Sequence, residues 1–159
     1  MSMIPTDPAY LLTFWGRLKD KPFGKKIFSR AVGMMAPYTG SIRGDVLDFG
    51  PGYARVAMRD RKRLRNHLRS VHAVALMNLG EVTTGLAMMS LVPPGGRGIV
   101  TSLNMEYRKK SRGTITCDCE ATMPAGTGKV DAVVEGILRD ASGDTVAIAR
   151  AHWRLDIPA

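Results

Sequence analysis

Glu81 is the residue whose position most demands a chemical explanation. It is the one acid in the run Asn66 to Val92, NHLRSVHAVALMNLGEVTTGLAMMSLV, which after Ala73 is interrupted by polar side chains only at Asn78, Glu81, Thr83, Thr84 and Ser90. A carboxylate on a helix that is apolar almost all round is costly unless it is hydrogen-bonded, paired or protonated. Glu81 is therefore either a satisfied structural group or a working one, acting as general base or nucleophile. Asn78, one turn earlier on the same face, could satisfy the carboxylate without any catalysis. The second chemical signal is cationic. Arg61, Arg63, Arg65 and Arg69 form one concentration before the helix, and Arg108, Lys109, Lys110 and Arg112 form another. Such runs are solvated faces or phosphate-capturing surfaces, where Arg gives bidentate contacts and Lys a point charge.

The carrier of the acid is an apolar run of about 20 residues, or roughly 30 Å as a helix. An acid and an Asn near its middle, and strand-rich sequence around it, point to a buried helix rather than a bilayer span. Pro93-Pro94-Gly95-Gly96 terminates it. Upstream, residues 8–19 place Leu11, Phe14, Trp15 and Leu18 at helical spacing, with Thr6 or Asp7 as cap and Pro8 as first helical residue. A second helix follows Lys21-Pro22, with Phe23, Ile27, Ala31 and Met34 or Met35 on one side and Lys25, Lys26 and Arg30 on the other. This pair is expected to pack over one edge of the fold; a membrane-surface or lid element is the functional alternative. From Ile42 the period changes, and Gly50-Pro51-Gly52 joins two strands in a hairpin. Four further strands are expected over Gly98–Lys109, Thr114–Met123, Val130–Arg139 and Thr145–Leu155, each of the last three able to form a hairpin with its neighbour because the connections are short. Two strands, one buried helix and four strands predict an α+β antiparallel sheet curled around a central helix.

The 159 residues suit one domain with a substantial core. A net charge of +9 favours anionic partners without choosing among nucleic acid, anionic lipid and a phosphorylated cofactor. No aromatic residue is interleaved with the basic runs and no nucleic-acid motif is present, so nucleic acid is not the expected partner. Cys117 and Cys119 fall on one face of a strand, poorly placed to bridge each other, which predicts reduced thiols. No basic leader precedes the short apolar run around Leu11–Trp15, so a cytoplasmic, untargeted protein without an integral membrane segment is expected. No metal is expected.

Asn66 stands six residues before His72, Ala73 follows that His at the helix start, and Glu81 lies nine residues after it. With the strand–helix–strand layout, these spacings resemble the hotdog fold, and within it the small acyl-CoA thioesterases of the phenylacetate-degradation (PaaI-like) type. The segment SVHAVALMNLGE is similar to an uncharacterised thioesterase-like branch of that superfamily. The resemblance covers about 42–156 and implies a single hotdog domain over 1–159, with 1–39 as a helical extension and 40–159 as the core. One departure is that Ala73-Val74 replaces the family's usual Gly-Gly after the His.

The resemblance implies hydrolysis of an acyl-CoA thioester, with coenzyme A entering only as part of the substrate. That chemistry needs an oxyanion donor, an activated water or nucleophile, and a hold on CoA. The first helical turn leaves free N–H groups, so the Ala73 N–H is the candidate donor. Asn66 would orient water or the carbonyl, Glu81 would act as base or nucleophile, and His72 would fix the loop or donate to the carbonyl. The basic residues named above would hold the CoA phosphates. A non-catalytic acyl-CoA binder and a hydratase or dehydratase using His67 with Glu81 are the alternatives. Ala73 and Glu81 are eight residues apart, about 12 Å along the helix, so a site shared between two chains of a homodimer, or dimer of dimers, is expected.

Overall fold

Apolar side chains spaced three and four apart start the chain as helices, and alternation takes over where the sheet begins. A computed structural model describes residues 8–159, so the expected cap at Thr6 or Asp7 lies outside the described residues. In chain order the elements are α1 (Pro8–Leu18), α2 (Gly24–Met35), α3 (Pro37–Gly40), β1 (Asp45–Gly50) and β2 (Tyr53–Met58). A single 3-10 turn at Lys62–Leu64 leads to α4 (Ala73–Met89), β3 (Arg97–Tyr107), β4 (Ile115–Glu120), β5 (Gly128–Arg139) and β6 (Thr145–Ile157). The six strands form one antiparallel sheet in the order β1-β2-β4-β5-β6-β3. The architecture is α+β.

The β4–β5 and β5–β6 connections close hairpins, but β3 does not pair with β4 despite the short link between them. It pairs instead with β6, from Arg97 opposite Asp156 to Tyr107 opposite Ala147, and becomes an edge strand. Alternation of burial follows the pleat. Ile115, Cys117 and Cys119 of β4 and Ala149, Ala151, Trp153, Leu155 and Ile157 of β6 point inward. Both cysteines are free, and burial pushes each thiol up to about 12, which leaves them poor nucleophiles.

Helices α1 and α2 pack on the other edge through an aromatic cluster. Trp15 meets Phe28 edge-on at 5.0 Å between centroids, and Phe28 lies 5.6 Å from Phe49 of β1. The buried face of α2 is therefore set by Gly24 and Phe28, and the expected apolar side is corrected: Phe23, Ile27 and Met34 are exposed. The reason is steric, because only a ring at position 28 fills the space between Trp15 and Phe49, and that turns the helix. Gly24 carries the crossing, since a Cβ there would lie 1.8 Å from the Leu18 carbonyl oxygen. α2 also covers the free edge of β1: the Val46 N–H donates to Ser29 Oγ at 2.8 Å, and Lys25 Nζ donates to the Leu47 carbonyl at 2.8 Å.

α4 packs against the sheet, touching all six strands. Thr83 and Thr84 are buried there with their hydroxyls bonded back to Leu79 O at 2.7 Å and Gly80 O at 2.9 Å, which removes the cost of burying them. Among the described residues no helix is long and apolar enough to cross a membrane. The approach of α4 to the sheet is set by Gly80, where an added Cβ would lie 2.5 Å from Ala149 Cβ. Gly80→Ala gains up to about 1 kcal/mol of helix propensity but overpacks a rigid contact, at about 1–3 kcal/mol, so net destabilisation is expected. Gly85→Ala meets only the Trp153 ring at 3.5 Å and is expected to be neutral or stabilising. Urea denaturation of both variants reads the two signs, and a Gly80→Ala protein as stable as wild type contradicts this account of the packing.

Candidate active site

A helix on a curled sheet is covered only where the sheet reaches. Along α4 the residues Ala73, Met77, Glu81, Gly85 and Met89, each four after the last, are only half-buried, and Val74 is 51% exposed, while most of the remaining positions are buried. The expectation of a buried central helix is thus corrected in part: one stripe stays open within the chain, and Glu81 is at its middle. A cavity of about 260 Å³ opens there, walled by Val74, Met77, Asn78 and Glu81 of α4, by Leu103 of β3, and by Tyr38 and Thr39 of α3.

Burial alone holds the Glu81 carboxyl above the usual carboxylate range. Among the described residues no side-chain hydrogen bond or ion pair reaches it. Asn78 does not satisfy it: its Nδ2 donates to the Tyr38 carbonyl at 3.1 Å and to Ser41 Oγ at 3.5 Å. The amide therefore ties α4 to α3, and its buried Oδ1 is left without a protein partner. The contact was not legible in sequence, because Tyr38 lies 40 residues upstream.

At the start of α4, His72 is the N-cap. Its Nδ1 accepts from the Val74 N–H at 3.1 Å, and its carbonyl accepts from Ala75 N at 2.9 Å and Leu76 N at 3.1 Å. Of the first-turn donors this leaves the Ala73 N–H, at the positive end of the helix. The Tyr107 hydroxyl, brought from β3, donates to the Ala73 carbonyl at 3.2 Å and pins that residue.

Asn66 organises the loop before the helix. Its Oδ1 accepts from the Leu68 N–H at 2.9 Å, the Ser70 N–H at 3.3 Å and Ser70 Oγ at 3.1 Å, while its own N–H donates to the Ser70 carbonyl at 2.9 Å. Three donors converging on one atom fix the amide's orientation. The Nδ2 group makes no bond within the described residues and remains a donor. Arg65 and Val71 close the loop as a bridge, and Arg69 takes the left-handed conformation at φ 56°. His67 is exposed on this loop.

The two basic runs meet. The Val71 N–H donates to the Ser111 carbonyl at 2.8 Å, and Asp60 takes both Arg65 Nε at 2.7 Å and the Gly113 N–H at 3.1 Å. Within this surface the cations differ. Arg65 is held by Asp60, Arg108 by Glu106 at 2.9 Å, and Lys109 by Asp140 at 2.8 Å and Asp144 at 2.5 Å. Arg61 points away, donating to the Ile42 carbonyl. Arg63, Arg69, Lys110 and Arg112 make no ion pair among the described residues. No group of three His, Cys, Asp or Glu side chains among the described residues is placed to hold a metal ion.

A family model described as Domain of unknown function (DUF4442) matches residues 24–155. No curated protein matches the chain. Among solved structures, a genomics protein, APC5556, is similar at 25% identity and a TM-score of 0.78, over 95% of this chain and 99% of that one. A Pseudomonas aeruginosa protein described as a probable thioesterase shares 21% identity over 86% of this chain and 96% of its own, with a TM-score of 0.72. The phenylacetic acid degradation protein PaaI from Thermus thermophilus, in a mutant form, shares 18% over 76% of this chain and 99% of its own, with a TM-score of 0.65. The last two likenesses are of fold, and that fold is the hotdog fold.

The raised Glu81 carboxyl gives a pH signature. The unfolded chain ionises this group at its ordinary value, so just above that value the folded protein keeps the extra proton. Stability therefore falls as pH rises from the ordinary Glu range through the higher folded value. Gln at 81 removes the slope, and the stability of Glu81→Gln relative to wild type should increase with pH across that window. Urea denaturation at stepped pH measures it; a difference that does not change with pH contradicts a desolvated Glu81.

Proposed function

The chain belongs to the family described as Domain of unknown function (DUF4442), and we propose that it is an acyl-CoA thioesterase, hydrolysing the thioester to a free acid and CoA. The observation that carries this reading is Glu81: a half-buried carboxyl with no partner among the described residues, in the wall of a cavity, its protonation shifted by burial toward the range useful to a general base. The description of one fold neighbour, the Pseudomonas aeruginosa protein, as a probable thioesterase is consistent with it.

In this mechanism Glu81 takes a proton from the attacking water, or attacks the carbonyl carbon itself to form, once the thiolate has left, a mixed anhydride that water hydrolyses to the free acid. The carbonyl oxygen gains charge as the tetrahedral intermediate forms, and the Ala73 N–H receives it, supported by the positive end of α4. Asn66 Nδ2 orients the water or carbonyl. The carbon–sulfur bond then breaks, and the sulfur leaves as the CoA thiolate and is protonated. His72 holds the helix start in shape through its cap and need not touch substrate.

One chain places Ala73 and Glu81 about 12 Å apart along α4, too far for both to act within about 3 Å of one carbonyl. A homodimer resolves this. The β1 edge is covered by α2, whereas the β3 edge is uncovered among the described residues, and Leu103 of β3 lines the Glu81 cavity. Pairing two β3 edges about a two-fold axis sets the open stripes of two α4 helices side by side and antiparallel, so that Glu81 of one protomer approaches Ala73 of its partner. The working location is the cytoplasm.

Asn66→Asp keeps the acceptor that fixes its loop and removes the donor, and Glu81→Gln removes the base. Each alone should lower thioester hydrolysis, Glu81→Gln by about 10²–10⁴-fold, as read by free-thiol release over a panel of acyl-CoA substrates. Co-expressed with different tags and purified as mixed dimers, the two variants should regain up to about half of wild-type activity, since one site carries both lesions and the other none. Folded mixed dimers as inactive as either parent defeat the shared site. No thiol release from any substrate by wild type, with CoA still bound, points to a binder instead.

For the phosphates, the reading favours the unpaired cations Arg63, Arg69, Lys110 and Arg112 over Arg61, Arg65, Arg108 and Lys109. Replacing those four by Gln should raise KM for acyl-CoA at low salt, with the effect fading in high salt, and leave turnover of an acyl thioester lacking the nucleotide unchanged. An unaltered KM returns them to a solvated face.

A further inference from the structure

A second cavity, larger than the one at Glu81, lies elsewhere in the molecule. Helices α2 and α3 roof a cavity of about 770 Å³ over β1 and β2, within the usual size range of small-molecule sites. Its floor is apolar and reaches the core through Ile42, Val46, Val56 and Val82, all buried. Its lip is cationic: Lys26, Arg30 and Arg43 line it, are exposed, and make no ion pair among the described residues. The single carboxylate on the wall, Asp45, is taken by Arg59 at 3.5 Å.

Arg61 adds to this field from behind. Its guanidinium donates to the Ile42 carbonyl, its Nε is buried without a partner, and Arg43, Arg63 and Arg59 crowd it with positive charge. Three lip cations against one already paired carboxylate leave a net positive mouth over an apolar floor. Water solvates such a mouth adequately but leaves the hydrocarbon of the half-buried Val32 and the exposed Met34 wet. A ligand that answers both has an oxyanion at one end and a hydrocarbon chain at the other. A neutral apolar ligand would leave the lip unanswered, and a polar anion such as free phosphate would leave the floor empty.

We propose that the cavity beneath α2 and α3 binds a single-chain amphiphile with an oxyanion head, a chain carboxylate or an alkyl phosphate. The head rests on Lys26, Arg30 and Arg43, and the tail lies along Val32 and Met34, in front of the buried Val46 and Val56. This site adjoins the Glu81 cavity, because Thr39 lines both, but it does not include Glu81. It stands independently of the hydrolytic reading.

The test is calorimetric titration of the full chain, below micelle-forming concentrations, with decanoate, decyl phosphate, decanol and decyltrimethylammonium. One or both anions should bind at one site per chain, about tenfold or more tighter than the neutral and cationic chains. Which anion binds separates a fatty acid from an alkyl phosphate as the source. Arg30→Glu with Arg43→Glu should weaken the anion about tenfold or more, and Glu81→Gln should bind it as wild type does. Circular dichroism checks that both proteins fold; should the charge reversal unfold the chain, Arg30→Gln with Arg43→Gln gives the same reading. Failure of both anions to bind, equal binding of all four chains, or unchanged affinity in the charge variant overturns the proposal. Loss of binding in folded Glu81→Gln overturns it too, by placing the chain in the other cavity.

Discussion

Gly80 and Gly136 let α4 approach β5 and β6 so closely that a methyl added at Gly80 would meet the Cβ of Ala149 at 2.5 Å and one at Gly136 the Cγ2 of Thr84 at 3.2 Å. Most of what is distinctive about the chain depends on that approach. It removes water from Thr83 and Thr84, forces their hydroxyls back onto the helix carbonyls, and packs the small residues Ala147, Ala149 and Ala151 against the helix. It also fixes the rotation of α4 about its own axis. With Gly80 turned to the sheet, the next residue is carried to the uncovered side, and that residue is Glu81.

The two edges of the sheet have opposite treatments. Lys25 and Ser29 of α2 take up backbone groups of β1, so that edge offers few free partners. β3 offers an eleven-residue edge whose backbone groups face away from β6. A long bare edge next to a half-covered helix stripe is a surface that a second strand can complete, by backbone hydrogen bonds and by apolar burial together. The proposed shared site follows from that asymmetry, since the helix start and the carboxylate lie too far apart on one chain to meet at one carbonyl.

Charge is distributed to different ends. The Asn66 loop and the 108–113 connection bring cations together beside the start of α4, where the helix end is itself electropositive. A separate group, Lys26, Arg30, Arg43, Arg59 and Arg61, gathers around the α2–α3 roof. Part of the net charge of +9 is thus gathered into two localised fields.

The periodicities in the chain already determined the strand and helix types, the antiparallel α+β class and the unusual nature of Glu81, because alternation and an apolar run with one acid are local properties. The spacing of Asn66, His72, Ala73 and Glu81 likewise needed no structure to be noticed. What the tertiary structure decided was relational. The buried face of α2 was turned by the fit of Phe28 between Trp15 and Phe49, against a sequence pattern that favoured Phe23 and Ile27. β3 went to β6 instead of β4, and Asn78 was claimed by Tyr38 rather than by Glu81. His72 became a cap, and Arg61 was drawn to Ile42. Each of these joins groups far apart in the chain or competing for one partner, and the outcome is set by which arrangement fills space and satisfies buried polar atoms together. No local pattern contains that information.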